Sequence, residues 1–339
     1  MIARLPVSEL PGALVLSLDF ELHWGLRGNG DDPAAIRARV LGARRVVPML
    51  LELFEEYGVA ATWATVGMLF ARDHAELLRH SPAVRPSYDD PRLDAYREEV
   101  GEDESTDPLH YGAELIERIR RTPRQEIATH TFSHYYCNEP GQDARAFACD
   151  LAAARSIAKT RDVPIRSIVF PRNQHNPDYD PLLIDAGIVA YRGVPDSWAW
   201  RFRTARESAG PLKRAARLLD SYVNVGITSP LPWSRVAQPN GLANVAATTM
   251  LRPLTPRLRV FEPLRLRRIT GAMTAAARQR RIFHIWWHPH NFGARPEENV
   301  AFVRAALRHF AKLRTTYGMQ SLGMAEVAEL AGCWPERER

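Results

Sequence analysis

The sequence predicts an α/β protein whose strands pair in parallel, either as a sheet or as a barrel. Apolar segments of strand length alternate with amphipathic segments of helical period along most of the chain. Helices that cross between successive strands are the usual connection in parallel sheets. Polar residues follow several of the predicted strands, at the edge where parallel α/β folds carry their active sites.

The predicted elements follow one another in a regular order. The strands are the apolar runs at 14–24, 59–66, 126–128, 166–170, 188–191, 281–287 and 320–322. The helices are the amphipathic segments at 34–57, 112–121, 145–158, 181–186 and 299–317. Gly58, Gly187 and Gly318 follow helices at the position where a left-handed C-cap is favoured, while Gly67 and Pro171 end strands.

Two segments break this rhythm. Residues 80–108 are polar and interrupted by prolines, and we interpret them as a long loop or lid. Residues 201–280 contain seven prolines, and we interpret them as an insertion of short helices. We expect the whole chain, 1–339, to form one domain that carries this insertion.

The composition is that of an ordinary globular protein, with 45% hydrophobic and 25% charged residues. No apolar run reaches the roughly 18–20 residues of a membrane helix, and the N-terminal segment has no signal-peptide pattern. Cys137, Cys149 and Cys333 are spaced too widely for a disulfide framework or a CxxC motif. We therefore expect a cytoplasmic protein, and no nucleic acid among its partners.

The first predicted strand carries two carboxylates. Because side chains alternate along a strand, Ser17, Asp19, Glu21 and His23 are predicted to share one face. Carboxylates and an imidazole are costly to bury without partners. The pattern therefore favours a metal ion or a water-filled site, and the alternative is the polar outer face of an edge strand.

His130 and His134 are separated by three residues. On a helical turn this spacing places both rings on one side, which is a common way to supply two nitrogen ligands to Zn²⁺. Two solvated or core histidines would show the same spacing. Together with the acidic strand, the pair gives a ligand set that leaves room for water, as a catalytic metal site requires.

Two other strand ends carry candidate residues. Arg172 and Asn173 follow the strand at 166–170, and Arg172 is either a partner for an active-site carboxylate or a surface arginine. In the strand at 281–287, alternation places His284, Trp286 and His288 on one face. His288 at the tip is placed for general acid–base chemistry, whereas His284 is predicted to be a hydrogen-bonded core histidine.

Taken in order, these segments resemble the polysaccharide deacetylase family of carbohydrate esterases. The set that carries the resemblance consists of Leu18-Asp19-Phe20-Glu21, His130-Thr131-Phe132-Ser133-His134, Phe170-Pro171-Arg172 and Trp286-Trp287-His288. Residues 61–67 also look like the second strand of that family. The resemblance spans about 13–330 without the insertion, and it implies a distorted (β/α) barrel of about seven parallel strands with a deacetylase-like catalytic domain.

The resemblance implies catalytic roles residue by residue. Asp19 matches the catalytic base, and Arg172 matches the arginine that orients this base. His288 matches the general acid. Asp196 and Trp198 loosely match the aspartate-and-tryptophan motif that supports the acid.

The resemblance also implies a metal site. His130 and His134 match the two metal-binding histidines. Most members have two adjacent aspartates on the first strand, but here Phe20 follows Asp19, so Glu21 is the predicted third ligand. The implied cofactor is one divalent ion, with Zn²⁺ as the first choice and Co²⁺, Ni²⁺ or Fe²⁺ as alternatives.

The implied reaction is removal of an N-acyl group, in the first instance N-acetyl, from a sugar or polysaccharide precursor. Trp198, Trp286 and Asn173 are the predicted substrate contacts. Two alternatives stay open, namely hydrolysis of a cyclic amide or imide on the same barrel and glycan binding without catalysis. A glycosidase is disfavoured because Asp19 and Glu21 lie too close together on one strand.

The basic segment suggests a further partner. Residues 201–281 hold sixteen Lys and Arg but only three acidic residues, although the whole chain carries a net charge of +6. These arginines are either solvated helix faces or contacts to phosphate, from a lipid- or nucleotide-linked sugar or from an anionic membrane at its inner face. The predicted membrane contacts are Arg265, Arg267, Arg268, Arg278, Arg280 and Arg281, with Leu264, Leu266 and Ile269 as apolar anchors.

Overall fold

A computed structural model describes residues 6, 9–28, 30, 32–201, 204, 207 and 210–333. Its strands are Ala13–Phe20 (β1), Ala61–Thr65 (β2), Gln125–Thr129 (β3), Ser167–Ile168 (β4), Ala190–Tyr191 (β5), Ala243–Asn244 (β6), Thr249–Met250 (β7), Ile282–Trp287 (β8) and Gln320–Leu322 (β9). They form one parallel sheet in the order β6-β5-β4-β3-β2-β1-β8-β7, with β9 paired to β1.

Helices cover the sheet and connect its strands. They are Pro33–Tyr57 (α1), His74–His80 (α2), Ala113–Arg121 (α3), Ala144–Lys159 (α4), Asp180–Asp185 (α5), Pro211–Asp220 (α6), Glu262–Arg278 (α7), Pro289–Phe292 (α8), Pro296–Tyr317 (α9) and Met324–Leu330 (α10). The predicted α/β class is confirmed. None of the described helices is long and apolar enough to cross a membrane.

The sheet curls because the chain between β6 and β7 links its two ends. The Ala247 amide donates to the Gly193 carbonyl just beyond β5, and the next amide, that of Thr248, donates to the His284 carbonyl in β8. The first hydrogen bond is made to the β5 end of the sheet and the second to the β8 end. The predicted distorted barrel is therefore confirmed, with nine strands in the described residues where about seven were expected.

Strand β1 lies at the centre of the fold. Every residue from Ala13 to Phe20 is buried, as expected of a parallel strand that is covered on both faces. Asp19 stands opposite Ala64 of β2, and Leu18 stands opposite Trp287 of β8. The carboxyl end of β1 therefore opens at the middle of the sheet edge.

Helix α1 packs against the turn that follows β8. It begins at the Asp32 cap, whose carboxylate accepts the Ala35 amide, and it ends at the predicted Gly58 in a left-handed conformation. A Cβ on Gly42 would lie 2.1 Å from the carbonyl oxygen of Gly293. Only glycine allows this approach, which holds the segment after β8 against α1.

The two irregular segments contribute more to the fold than predicted. Residues 201–280 contain helices α6 and α7, but the same segment also supplies β6 and β7 to the main sheet. Residues 80–108 contain two short 3₁₀ turns, Pro91–Leu93 and Ala95–Arg97, in otherwise irregular chain. The division into one domain with an insertion stays a prediction.

Candidate functional site

The carboxyl ends of four strands, β1, β3, β4 and β8, open into one cleft of about 1050 Å³. The site follows the rule that parallel α/β folds bind ligands at this edge. Seven residues predicted from the sequence line the cleft, and they are Asp19, Glu21, His134, Arg172, Asn173, Trp286 and His288.

Glu21, His130 and His134 converge at the floor of this cleft, and we call them the strand-end cluster. Glu21 Oε2 lies 3.2 Å from His130 Nε2 and 2.9 Å from His134 Nε2. None of the three residues is more than 3% exposed. Burial raises the pKa of the Glu21 carboxyl, but His288, His134 and His130 outweigh this effect and hold the pKa well below its usual value.

The turn after β1 places the Glu21 carboxylate. The strand ends at Phe20, and Leu22 takes a φ of 46°, which redirects the chain. The turn then brings the backbone of Gly25 against the Glu21 carboxyl group. A Cβ at Gly25 would lie 1.9 Å from the Glu21 carboxyl carbon, so any larger residue there would displace this carboxylate.

The two histidines are not on a helical turn, and this part of the prediction was wrong. They lie in a loop after β3, where Thr131 has a φ of 64° and His134 a φ of 58°. Asp150 from α4 fixes the loop by accepting the Phe132 amide at 2.6 Å and the Ser133 amide at 3.1 Å. The two left-handed residues and this cap bring the rings together.

The strand-end cluster fits a divalent metal ion. His130 Nδ1 lies 2.7 Å from the Val169 carbonyl oxygen, to which it can only donate. In a neutral ring, His130 Nε2 is then a lone pair that faces the acceptor Glu21 Oε2. Burial lowers the pKa of His134 to about 4, so that ring is neutral at pH 7. A cation satisfies converging acceptors of this kind, and the hydrogen-bonded Nδ1 atom is typical of metal-binding histidines.

Asp19 is held by an arginine that the sequence did not single out. Arg192 donates from Nη1 to Asp19 Oδ1 at 2.5 Å and from Nη2 to Oδ2 at 2.8 Å. Arg192 Nη2 also donates to Asn173 Oδ1 at 3.1 Å, and its guanidinium stacks on the Trp286 ring. Burial raises the pKa of Asp19, but Arg192 and then His288 outweigh burial and lower it. The carboxylate is therefore ionised at neutral pH.

His288 faces both carboxylates from the end of β8. Its Nε2 lies 3.5 Å from Asp19 Oδ2 and 3.6 Å from Glu21 Oε1. The Asn291 side-chain amide lies 3.3 Å from His288 Nδ1, so a neutral ring keeps its proton on Nε2. His290, two residues after His288, is buried, and its Nδ1 lies 3.8 Å from Glu21 Oε1. Burial lowers the pKa of His290 to about 3.

Several predicted contacts lie elsewhere. Arg172 lines the cleft, but its guanidinium lies 4.0 Å from Glu139 and over the Tyr136 ring. The structure therefore gives the position beside Asp19 to Arg192 in place of Arg172. His284 is the predicted hydrogen-bonded core histidine, with Nδ1 on the Val245 carbonyl and Nε2 on Ser17 Oγ.

Asp196 and Trp198 do not reach the cleft. Asp196 is exposed and pairs with Arg201 at 2.8 Å, and it lines a separate cavity on the other side of its loop. Trp198 is 49% exposed. Trp200 lines the cleft instead, and it contacts the predicted Trp286.

His23 does not share a face with Asp19 and Glu21, because β1 ends before it. Its ring lies 4.6 Å from the His110 ring, with Nε2 3.5 Å from Glu98 Oε2. His23, Glu98 and His110 form a second group, which we call the loop cluster. It lies where the turn after β1 meets the segment before α3.

Arginines line one side of the cleft. Arg214, Arg217 and Arg252 come from the segment 201–280 and line the cleft. Burial, followed by the neighbouring Arg252 and Arg214, lowers the pKa of Arg217. Burial also lowers the pKa of Arg252. A cluster of like charges held this close is favourable for an anion.

Other arginines of this segment are structural. Arg265 is buried and pairs with Glu262, and Arg268 pairs with Asp220 at 3.3 Å. Ile269 is buried as well. These three residues are therefore not available as the membrane contacts that the sequence suggested.

The chain has the fold of the polysaccharide deacetylases. A Mycobacterium smegmatis protein assigned as a polysaccharide deacetylase is 15% identical, over 96% of this chain and 92% of that one, with a TM-score of 0.56. A 4-alpha-glucanotransferase from Thermococcus litoralis is 11% identical over 94% and 40%, at a TM-score of 0.51. The allantoinase Puue is 12% identical over 94% and 89%, at a TM-score of 0.50.

No family model matches the sequence, and no curated protein matches it. The three structures carry names of different enzymes, and identities of this size establish the fold alone. The fold therefore does not decide the reaction. The side chains in the cleft must decide it.

Proposed function

We propose that this chain is a metal-dependent hydrolase that removes an N-acyl group, in the first instance N-acetyl, from a sugar or polysaccharide precursor. The observation that carries the proposal is the convergence of Glu21, His130 and His134 within one cleft beside Asp19 and His288. This set combines a ligand group for a Lewis acid with a separate carboxylate and imidazole for proton transfer. The deacetylase fold agrees with this reaction class.

Glu21, His130 and His134 are the residues that would hold the divalent ion, with Zn²⁺ as the first choice for a donor set of two nitrogens and one oxygen. A bound ion would polarise the amide carbonyl and lower the pKa of a water molecule in the site. The His130 Nδ1 hydrogen bond to Val169 and the Asp150 cap fix the direction of the ligands.

Asp19 and His288 divide the proton transfers. Asp19 accepts a proton from the attacking water as the new C–O bond forms, and Arg192 keeps this carboxylate ionised and oriented. His288 donates a proton to the departing nitrogen as the C–N bond breaks, which releases the carboxylic acid and the amine. The Asn291 contact leaves the His288 Nε2 proton directed at the cleft. Trp286 and Trp200 supply apolar walls for a sugar ring or acyl group.

Acetate release from a panel of N-acetyl sugars, set against ammonia or acid release from cyclic amides, tests the reaction. The proposal expects turnover of the N-acetyl sugars that follows metal content and is lost on chelation. Turnover of cyclic amides alone would assign the alternative hydrolase. Absence of turnover in metal-loaded protein that still binds glycans would indicate a binding protein.

We propose further that the substrate carries phosphate, as in a lipid-linked or nucleotide-linked sugar. Arg214, Arg217 and Arg252 supply positive charge along one wall of the cleft. Guanidinium groups suit phosphate because their planar donors match its oxygens. A phosphate group would bring an anion to these arginines, which a neutral sugar does not.

Arg252→Gln tests the phosphate subsite. The expected result is an increase in KM of about tenfold for a phosphate-linked N-acetyl sugar, since charge-assisted hydrogen bonds contribute about 1.5–3 kcal/mol. The free sugar should show little change. Arg92→Gln is the matched control, because Arg92 also lines the cleft but pairs with Asp90. An equal increase in KM for free and phosphate-linked sugars would contradict the phosphate subsite. Lipid-linked and nucleotide-linked forms, compared side by side, identify the source of the phosphate.

A surface beside the cleft supports a lipid-linked substrate at an anionic membrane. Eight of the thirteen exposed large apolar side chains in the described residues lie at 212–225 and 260–264. Leu212 is 73% exposed and Val260 is 80% exposed. The two segments meet where Tyr222 contacts Phe261. Apolar side chains beside arginines are typical of peripheral membrane contacts.

Co-sedimentation with vesicles tests this contact. We expect binding to phosphatidylglycerol-containing vesicles at low salt, weaker binding at high salt, and none to pure phosphatidylcholine. Leu212→Ser with Val260→Ser should reduce binding, whereas Leu78→Ser, on the exposed side of α2, should not. Equal binding by all variants would locate the contact elsewhere or remove it.

A further inference from the structure

The loop cluster has the donor set of a metal site. One potential ligand atom from each of His23, Glu98 and His110 lies within 4.8 Å of the other two. His23 Nε2 and Glu98 Oε2 are already 3.5 Å apart. Donor atoms around a tetrahedral ion with bonds of about 2.1 Å are separated by about 3.4 Å. Small side-chain movements therefore close these three atoms onto one ion.

His110 directs an unsatisfied nitrogen into this cluster. Its side chain is only 8% exposed, and its Nδ1 lies 2.7 Å from Asp107 Oδ2. Its Nε2 is buried and has no hydrogen-bond partner among the residues that the structure describes. A buried polar atom without a partner is costly, and bound metal is one of the few ways to satisfy it.

Asp107 fixes which nitrogen of His110 is free. Its carboxylate accepts the Gly101 amide at 2.9 Å and the Leu109 amide at 3.2 Å, so it is held in place. Asp107 Oδ2 lies 2.7 Å from His110 Nδ1 and accepts its proton, so in a neutral ring Nε2 carries the lone pair. A carboxylate behind the histidine is the arrangement that orients and strengthens a metal-binding imidazole.

A purely structural role for the loop cluster explains fewer of its contacts than metal binding does. His110 contacts the Trp24 ring, whose indole nitrogen donates to the His110 carbonyl at 2.9 Å. These contacts account for the position of the ring. They leave Nε2 unsatisfied in either protonation state, because a protonated Nε2 would be a buried donor without an acceptor. Two negative charges, on Glu98 and Asp107, would also balance a divalent cation.

We propose that His23, Glu98 and His110 bind a second divalent transition-metal ion, with Zn²⁺ as the first choice, and that Asp107 orients His110 for it. The ion fastens the segment before α3 to the turn after β1. The same turn carries Glu21, so the second ion stiffens the support of the strand-end cluster. The contacts of the loop cluster alone define this second site, which does not depend on the proposed hydrolase activity.

Metal stoichiometry of the full-length protein tests the proposal. After saturation with Zn²⁺ and removal of free metal, the unmodified chain should retain two equivalents by elemental analysis. His23→Gln with His110→Gln should retain one, and so should Glu21→Gln with His130→Gln. His80→Gln, a partly exposed histidine on α2, is the matched control and should retain two.

The two sites fail independently in this design. If the loop-cluster variant retains as much Zn²⁺ as the unmodified chain, the second site is wrong, whatever the strand-end variant does. If the strand-end variant retains as much Zn²⁺ as the unmodified chain and the loop-cluster variant does not, the proposed function is wrong and the loop cluster stands.

A second measurement tests the loop cluster even if the His23→Gln, His110→Gln variant does not fold. In protein that carries Glu21→Gln with His130→Gln, the remaining Zn²⁺ should raise the melting temperature, because a ligand that binds only the folded state stabilises it. Adding Glu98→Gln, whose side chain is 30% exposed in the present structure, should reduce this rise and weaken Zn²⁺ binding about tenfold. A rise that Glu98→Gln leaves unchanged would overturn the proposal.

Discussion

The strand-end cluster and the loop cluster begin two residues apart, at Glu21 and His23, yet they rest on different supports. Glu21 follows a central strand, and its partners follow β3, the second strand along in the sheet. His23 lies beyond the strand, and its partners come from irregular chain. The strand-end residues are at most 3% exposed, whereas the Glu98 side chain is 30% exposed. Parallel strands can deliver a rigid, dry site, while loops deliver one that needs extra fastening.

The difference predicts losses of activity of very different size. His130→Ala should reduce hydrolysis by at least roughly 10³-fold, because the ligand group loses a nitrogen at the reacting centre. His23→Ala should cost no more than about tenfold, through looser support of the turn. Acetate release under saturating Zn²⁺ measures both. Equal losses would mean that the two clusters act as one site.

Asp19→Asn separates chemistry from metal binding within the strand-end region. The variant should lose roughly 10²–10⁴-fold in kcat, since the proton acceptor is removed while the shape is kept. Metal content should stay at that of the unmodified chain. A variant that loses metal together with activity would make Asp19 a ligand and leave the base unassigned.

Arg192→Met should change the pH profile. Arg192 is the main cause that lowers the pKa of Asp19, and without it burial raises that pKa. In the unmodified protein, activity should be lost only as the pH falls through this lowered pKa of Asp19, under the usual range of an aspartate. In the variant the acid limb of kcat/KM should move to higher pH. Part of the kcat/KM value should be regained as the pH reaches neutrality. Methionine keeps the contact with Trp286, so an unshifted limb would assign Arg192 a structural role.

Gly25→Ala probes the support beneath Glu21. The added methyl group would overlap the Glu21 carboxylate, so the carboxylate must move. We expect metal affinity at the strand-end cluster to fall about 10- to 100-fold. Gly271→Ala is the control, because nothing lies within 4 Å of its Cβ position on α7 and alanine favours helix. Similar metal affinity in both variants would show that the turn adjusts freely.

Part of the site and the class of the fold could be predicted from the sequence. Asp19 was found because it interrupts a long apolar run, and His288 was found because it stands where a strong strand stops. Both signals are local. The confirmed class and barrel follow from the same alternation of strand and helix, which is written along the chain.

The missed residues have no local signal of that strength. Arg192 follows β5, a strand of only two residues, and its partner Asp19 is 173 positions away. Strands β6 and β7 are equally short, too short for any period to show among the prolines of 201–280. The predicted strand at 188–191 ends at the same residue as β5, so the rule that strand ends carry the site already pointed to Arg192, although nothing local marked that arginine as a partner of Asp19. The exposed Asp196 shows the converse, because a motif match without a strand end did not reach the cleft.

Asp107→Asn is the mildest test of the comparison, because it touches neither proposed metal ion. Its amide can still face His110, but it no longer supplies the negative charge that strengthens the ring as a ligand. Zn²⁺ affinity of the loop cluster should therefore fall about tenfold in chelator competition, while the strand-end cluster keeps its affinity. The value of kcat should stay within about twofold, since only the outer fastening of the turn is weakened. If instead Asp107→Asn lowers kcat as strongly as Gly25→Ala does, the two clusters share one rigid support, and the distinction between strand-borne and loop-borne sites does not hold in this molecule.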